Sequence, residues 1–233
     1  MLILVYSIYR LFVNTPEVIY NDVMNKVDQL LARHLIISDQ VDAKELRVLL
    51  RELEKVLRSG TTGNIVEFGC YVGTTSLFIR RLLDAYRFAG EFHVYDSFAG
   101  LPEKTSADNS AAGEQFKAGE LLAPRKTFVY NFKKAGLKLP IIHKGWFADF
   151  TPKDVPEDIS FAFFDGDFYE SIADSFRVCA GKFHEKATII VDDYANEALP
   201  GAARAVDEWL SRNQQFVLRT EASLAIISSC SKT

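Results

Sequence analysis

The ten residues 64–73, N-I-V-E-F-G-C-Y-V-G, decide how the chain is read. Ile65, Val66 and Phe68 read as the end of a buried strand, Gly69 and Gly73 flank a sharp turn, and Thr74, Thr75 and Ser76 open a helical pattern. Strand, glycine turn and helix in this order belong to a doubly wound α/β sheet. Glycines at those two places let the backbone approach a ligand closely. The acidic Glu67 just before them argues against a phosphate, which prefers amide donors and the positive end of a helix. A ligand carrying a cation fits better. Tyr71 also stands where the dinucleotide fingerprint G-x-G-x-x-G needs its middle glycine, which disfavours a nicotinamide-dependent oxidoreductase.

After the helix that begins at Thr74, residues 91–95 form a short second strand that stops at Asp96, about twenty residues beyond Gly73. In doubly wound nucleotide-binding folds, an acid at this place accepts hydrogen bonds from ribose hydroxyls. Asp96, with Ser97 beside it, is therefore the ribose candidate, and a turn-capping aspartate is the plainer alternative. Residues 101–119 lack periodicity and are rich in Ser, Ala, Gly, Asp and Glu, as expected of a long loop that acts as a lid. A helix over 125–135 and a strand over 139–143 lead into H-K-G-W-F. There Gly145 would allow an adenine ring to approach, and Trp146 or Phe147 would pack near it or serve simply as core.

Two apolar strands then end in acids. I-S-F-A-F-F-D-G-D, residues 159–167, delivers Asp165 and Asp167 to the strand's carboxyl end, where ligands bind in open parallel sheets. A-T-I-I-V-D-D, residues 187–193, brings Asp192 and Asp193 to the same edge. Carboxylates that close repel one another and raise each other's pKa unless a cation sits between them. Oxygen ligands alone favour Mg²⁺ or a similar hard ion over zinc, and none of His34, His93, His143 and His184 has metal-like spacing. Helix capping is the plain alternative for these acids.

With 233 residues and a balanced composition, the chain is long enough for one large globular domain. A net charge of -4 leaves no electrostatic footprint for nucleic acid and points to a small-molecule partner. Cys70, Cys179 and Cys230 are scattered, as in a reducing compartment, so a cytoplasmic location is expected. Residues 1–13 are strongly apolar, but no basic segment precedes them and Arg10 interrupts them. The run is too short for the ~20 apolar residues of a membrane span. It is expected to pack on its own core or on another subunit. Helical spacing over 16–35 and again over 46–57 predicts two amphipathic helices before the first strand, the second capped by Asp42 with Glu45 three residues on and stopped at Gly60.

E-F-G-C-Y-V-G resembles the first motif of class I S-adenosylmethionine-dependent methyltransferases. Taken with Y-D-S-F-A-G-L-P-E, K-G-W-F, F-D-G-D-F-Y-E-S and V-D-D-Y, in that order, residues 64–194 resemble the macrocin O-methyltransferase family. The resemblance implies an α/β, Rossmann-like, seven-stranded mostly parallel sheet with helices on both faces. It divides the chain into an N-terminal helical segment, 1–60, and a methyltransferase domain, 61–233. It implies an O-methyltransferase that uses S-adenosylmethionine and Mg²⁺ on a hydroxyl of a small molecule, such as a sugar of a natural product, and that forms a homodimer or higher homo-oligomer. Carried over by position, the cofactor residues are Glu67, Gly69, Tyr71, Gly73, Thr74, Asp96, Ser97, Gly145, Trp146 and Asp165. The metal ligands are Asp165, Asp192 and Asp193. Catechol-type relatives place a lysine base three residues after the first metal aspartate, whereas Phe168 stands here, so Asp165 or a metal-bound hydroxide is the expected base. A noncatalytic protein that binds S-adenosylmethionine is the alternative.

Overall fold

The computed structural model describes residues 25–229. Two compact units divide the chain, Met1–Leu35 and Ile36–Thr233. In the first, the described element is helix α1 (Lys26–Arg33), whose cap Asn25 accepts the Asp28 amide at 2.8 Å. The apolar run 1–13 and the start of the helix expected over 16–35 lie outside the described residues.

The second unit holds α2 (Ala43–Ser59), β1 (Asn64–Phe68), α3 (Thr74–Ala85), β2 (Phe92–Asp96), α4 (Arg125–Lys134) and β3 (Ile141–Lys144). There follow β4 (Ile159–Phe164), α5 (Tyr169–Val178), β5 (Phe183–Val191), α6 (Pro200–Arg212), β6 (Phe216–Glu221) and β7 (Leu224–Ser229). The strands form one sheet in the order β3-β2-β1-β4-β5-β7-β6, in which β7 pairs antiparallel with β5 and β6 and the other pairs are parallel. The expected Rossmann-like architecture is present. Among the described residues, no helix is long and apolar enough to cross a membrane.

Burial follows from position in the sheet. All six residues of central β4 are buried, as in a parallel strand covered on both faces; five are apolar, and the hydroxyl of the sixth, Ser160, donates to the Asn64 carbonyl at 3.3 Å. Edge strand β6 instead mixes half-buried Phe216, Leu218 and Glu221 with exposed Val217, Arg219 and Thr220. Phe68, Tyr95 and Phe164 are fully buried and in ring contact, each contributing roughly 1.5–3 kcal/mol by leaving water. Helix α2 starts where Asp42 accepts the Lys44 amide at 2.7 Å and ends at Gly60, whose φ of 73° stops it. Its buried Leu46, Leu49, Leu50 and Leu53 belong to the same compact unit as the sheet.

The order reverses between β1 and β4, which leaves a crevice at the carboxyl ends of the strands. Hydrogen bonding continues one residue past those ends. The amides of Gly145, Gly69, Asp165 and Asp192 reach the carbonyls of Asp96, Tyr95, Phe68 and Phe164 at 3.0, 2.9, 2.8 and 2.9 Å. Asp96, Gly69, Asp165 and Asp192 are thereby fixed in one row along the crevice.

Candidate active site

The glycine turn is shaped by the protein itself. Gly69 and Gly73 have φ of 88° and 89°, and Tyr71 between them is also left-handed at 48°. A Cβ on Gly69 would lie 1.9 Å from the carbonyl oxygen of Asp165, and one on Gly73 would lie 2.8 Å from the Phe128 ring. The close approach expected of a ligand is thus made by β4 and α4, and a side chain at Gly69 would disturb the fold before it touched a ligand. Asp96 holds the same turn. Its Oδ2 accepts the amides of Cys70 and Tyr71 at 2.8 and 3.2 Å, and its Oδ1 accepts that of Phe98 at 2.6 Å. Each carboxylate oxygen offers about two acceptor sites, so Oδ1 keeps one for a single hydroxyl donor of a ribose.

Glu67 is fully buried on β1. The Ser76 hydroxyl donates to its Oε2 at 2.5 Å, while among the described residues Oε1 has no partner, and neither has the buried Oγ1 of Thr74. Burial pushes the Glu67 carboxyl up to about 8, with Ser76 opposing the rise and Asp96 adding to it. A buried acceptor left unpaired costs about 1–3 kcal/mol, which a donor from a bound molecule would recover.

Asp165, Asp192 and Asp193 each offer a carboxylate oxygen, all lying within 4.8 Å of one another. Burial comes first among the causes that hold Asp165 well above the usual carboxylate range, followed by Asp192, Asp167 and Asp193. Asp192 is raised in the same way by burial, Asp193 and Glu45. Asp193 is raised by burial against the lowering effect of Asn196, whose amide donates to Oδ1 at 2.8 Å. Asp167 lies outside this trio, in left-handed backbone with φ of 61°, and burial followed by Asp193 and Asp96 pushes it up to about 8. An all-oxygen set that is costly to ionise unpaired fits a hard divalent cation.

Both groups line one cavity of about 530 Å³. Glu67, Gly69, Tyr71, Thr74, Asp96, Ser97 and Trp146 face it from the first half of the sheet, and Asp165, Asp167, Asp192 and Asp193 from the second. Gly73 stands behind the turn against Phe128, and Gly145 is not among the lining residues, its near neighbour being the Phe150 ring. Phe168 is buried with Leu101 and Leu199, so no lysine stands at that position.

Several lining residues were not anticipated. Glu45 follows the α2 cap and accepts the Ser223 hydroxyl across the fold, and Asp39 and Asn196 also border the cavity. The 101–119 segment is less featureless than its composition. Its T-S-A-D run forms a capping box in which the buried Asp108 accepts from Thr105. The other Asp108 oxygen takes the Tyr169 amide at the start of α5 at 2.7 Å. The Thr105-x-x-Asp108 spacing was the available signal.

Residues 36–219 match the family model described as Macrocin-O-methyltransferase (TylF). The chain is 33% identical to the 8-demethyl-8-(2,3-dimethoxy-alpha-L-rhamnosyl)-tetracenomycin-C 4'-O-methyltransferase of Streptomyces olivaceus, over 68% of this chain and 63% of that protein. It is 29% identical to the mycinamicin III 3''-O-methyltransferase of Micromonospora griseorubida, over 74% of this chain and 70% of that protein. Among solved structures, the O-methyltransferase NovP superposes with a TM-score of 0.69 at 25% identity, covering 80% of this chain and 79% of that one. The calicheamicin methyltransferase CalS11 shares the fold with a TM-score of 0.66 at 19% identity, covering 94% and 95%. On the family match, the order of its strands and the residues at their ends, this chain belongs to the macrocin O-methyltransferase family.

Proposed function

We propose that the protein is an S-adenosylmethionine-dependent O-methyltransferase that requires a divalent cation such as Mg²⁺ and acts on a sugar hydroxyl of a small molecule. The observation that carries this reading is the meeting, in one cavity, of the aspartate trio with a glycine turn whose buried Glu67 has a vacant acceptor. The relatives' names, both O-methyltransferases and one of them acting on a rhamnosyl-tetracenomycin C, support it.

When bound, S-adenosylmethionine supplies an electrophilic methyl group and a divalent cation supplies Lewis acidity that favours the ionised acceptor oxygen. Glu67 Oε1 and Thr74 Oγ1 fit the donors of the cofactor's amino-acid end, and Asp96 fits its ribose. Asp165, Asp192 and Asp193 fit the cation. Asp165, within the trio, stays the carboxylate assigned to the hydroxyl proton, with Asp167 lining the cavity beside it. Leu101, Phe116 and Leu121 border the site and exclude water from the transfer. The protein then mainly positions the reacting atoms at ~3 Å.

The purified protein, given S-adenosylmethionine and a panel of glycosides, is expected to release S-adenosylhomocysteine only when Mg²⁺ is present, and chelation should abolish the release reversibly. Full turnover in chelator would remove the cation from the mechanism. Absence of S-adenosylmethionine binding by calorimetry would remove the function.

A further inference from the structure

The acids of the trio sit on two separate loops. Asp165 lies in the turn that leads from β4 into α5, and Asp192 and Asp193 lie in the turn that leads from β5 into α6. Phe168, the residue before α5, has no polar side chain to cap the helix, and Asp108 of the 101–119 segment takes that place. Its Oδ1 accepts the Tyr169 amide at 2.7 Å, as a carboxylate at a helix start does. The same oxygen lies against the first turn of α6. A Cβ on Gly201 would come within 1.9 Å of it and within 2.7 Å of the Tyr169 nitrogen, so the absence of a side chain there lets the two loops meet. Oδ2 is held by the amide and the hydroxyl of Thr105, both at 2.9 Å. Asp108 is buried and stands outside the residues that line the cavity.

From this junction a run of turns leads back to the trio. The Ala202 amide donates to Leu199 at 3.2 Å, the Leu199 amide to Asn196 at 3.0 Å, and the Asn196 amide to the Asp193 carbonyl at 3.1 Å. The Asn196 side chain also donates to Asp193 Oδ1 at 2.8 Å. The 101–119 segment grips this run a second time. Ser110 donates its hydroxyl to the Glu197 carbonyl at 2.7 Å, and Gly113 lies so close that a Cβ on it would be 2.1 Å from the Ala198 carbonyl oxygen. Apolar packing joins the same three pieces independently. Leu101 of the segment, Phe168 of the first loop and Leu199 of the second form one buried cluster.

We propose that Asp108 is a positioning residue for the cation site, which acts through the Tyr169 amide and the start of α6 to fix the separation of the Asp165 and Asp193 carboxylates. It touches neither the cation nor a reactant. The inference rests on the reading of Asp165, Asp192 and Asp193 as cation ligands. Like charges move apart when their frame slackens, and a hard cation binds such oxygens well only where they are held at the coordination distance. The 101–119 segment is thus a strap across two strand ends as well as a border of the cavity.

The test is calorimetric titration of the full chain with Mn²⁺ and, separately, with S-adenosylhomocysteine, with thermal unfolding of the same preparations. In Asp108→Asn the single oxygen can serve Tyr169 or Thr105 but not both, and the amide group turns a donor against the donor left over. Mn²⁺ should bind at least about tenfold more weakly, within the range seen when partners that orient metal ligands are lost. Affinity for S-adenosylhomocysteine should stay within about twofold, because Glu67 and Asp96 lie on the other half of the sheet. Turnover should recover at saturating Mg²⁺, which a general loss of structure would not allow. Ser110→Ala removes only the hydroxyl bond to Glu197; it should fold as the wild type does and weaken Mn²⁺ about two- to threefold. Wild-type Mn²⁺ affinity in folded Asp108→Asn, or in Ser110→Ala should the first variant not fold, would overturn the positioning role. Equal weakening of Mn²⁺ and S-adenosylhomocysteine would overturn it too, since Asp108 would then support the fold at large. Wild-type protein that binds no Mn²⁺ would instead overturn the cation reading beneath it.

Discussion

Two acidic regions of this molecule are built from the same residue types with opposite results. Between α2 and β6, Glu52 lies buried between Lys55 at 2.7 Å and Arg219 at 2.6 Å, and Glu221 accepts Arg51 at 2.5 Å and Arg219 at 2.9 Å. Each acid has a basic partner, and Arg51 and Arg219 hold the Glu221 carboxyl below its usual range through their hydrogen bonds. At the carboxyl ends of β1, β4 and β5, acids instead face one another and have no basic neighbour in the wall among the described residues. Burial and mutual repulsion push them upward. Folding alone explains the first arrangement. The second costs stability unless something cationic or proton-donating completes it, and that difference marks the functional end of the sheet.

The sharpest break in this contrast comes from the frame that holds the acids together. Gly69→Ala would set a Cβ 1.9 Å from the Asp165 carbonyl oxygen, at a φ of 88° that side chains rarely adopt. The turn and the end of β4 must separate, at an expected loss of at least about 3 kcal/mol. Thermal unfolding checks this, and a variant of wild-type stability would show that the two strand ends are not locked. Next in size is Asp192→Asn, which keeps the volume and removes one charge of the trio. Turnover with Mg²⁺ should fall at least about 100-fold, since loss of outer partners of metal ligands alone costs roughly 10- to 100-fold. The folded protein should be no less stable at neutral pH, because a repulsion has been relieved. Unchanged turnover would place the trio outside the chemistry.

A smaller effect sharpens the contrast through pH. The folded-state pKa of Glu67 is raised to about 8, above its ordinary value of 4.5. Its contribution to stability is therefore fully present below about 4.5 and is lost as pH rises through about 8. Glu67→Gln should match wild type near pH 4.5 and exceed it by a few degrees in melting temperature at pH 9. Stabilisation of the wild type by S-adenosylmethionine should depend on Glu67 and shrink in the variant. Equal melting curves at pH 9 would mean that Glu67 ionises without penalty in the fold.

The parts of this contrast visible in the sequence were those set by strand periodicity. Apolar runs ending in Glu67-Phe-Gly, Asp165-Gly-Asp and Asp192-Asp declared both the parallel sheet and the acids at its carboxyl edge, because a central strand covered on both faces is mostly apolar. Contacts between distant segments were hidden. Glu45 read as half of a capping box, but its oxygen meets Ser223, which lies on the turn before β7. Asp108 sat in a stretch read as loop, but it is buried because it caps α5. The glycines of the turn were legible as glycines but not for their reason, which is the carbonyl of Asp165 and the ring of Phe128.

The smallest expected effect lies in the paired region and tests the other half of the comparison. Arg219 is 45% exposed, so its bonds to Glu52 and Glu221 compete with water and are screened by salt. Arg219→Ala should cost only about 0.5–1 kcal/mol at low salt and less at high salt, with Lys55 still paired to the buried Glu52. Methyl transfer should be unchanged, because neither Arg219 nor its partners line the cavity. Chemical denaturation at two ionic strengths, with turnover measured on the same preparation, separates the outcomes. A fall in turnover without a matching fall in stability would mean that α2 and β6 transmit their pairing to Glu45 and the crevice, and that the two acidic regions are not independent.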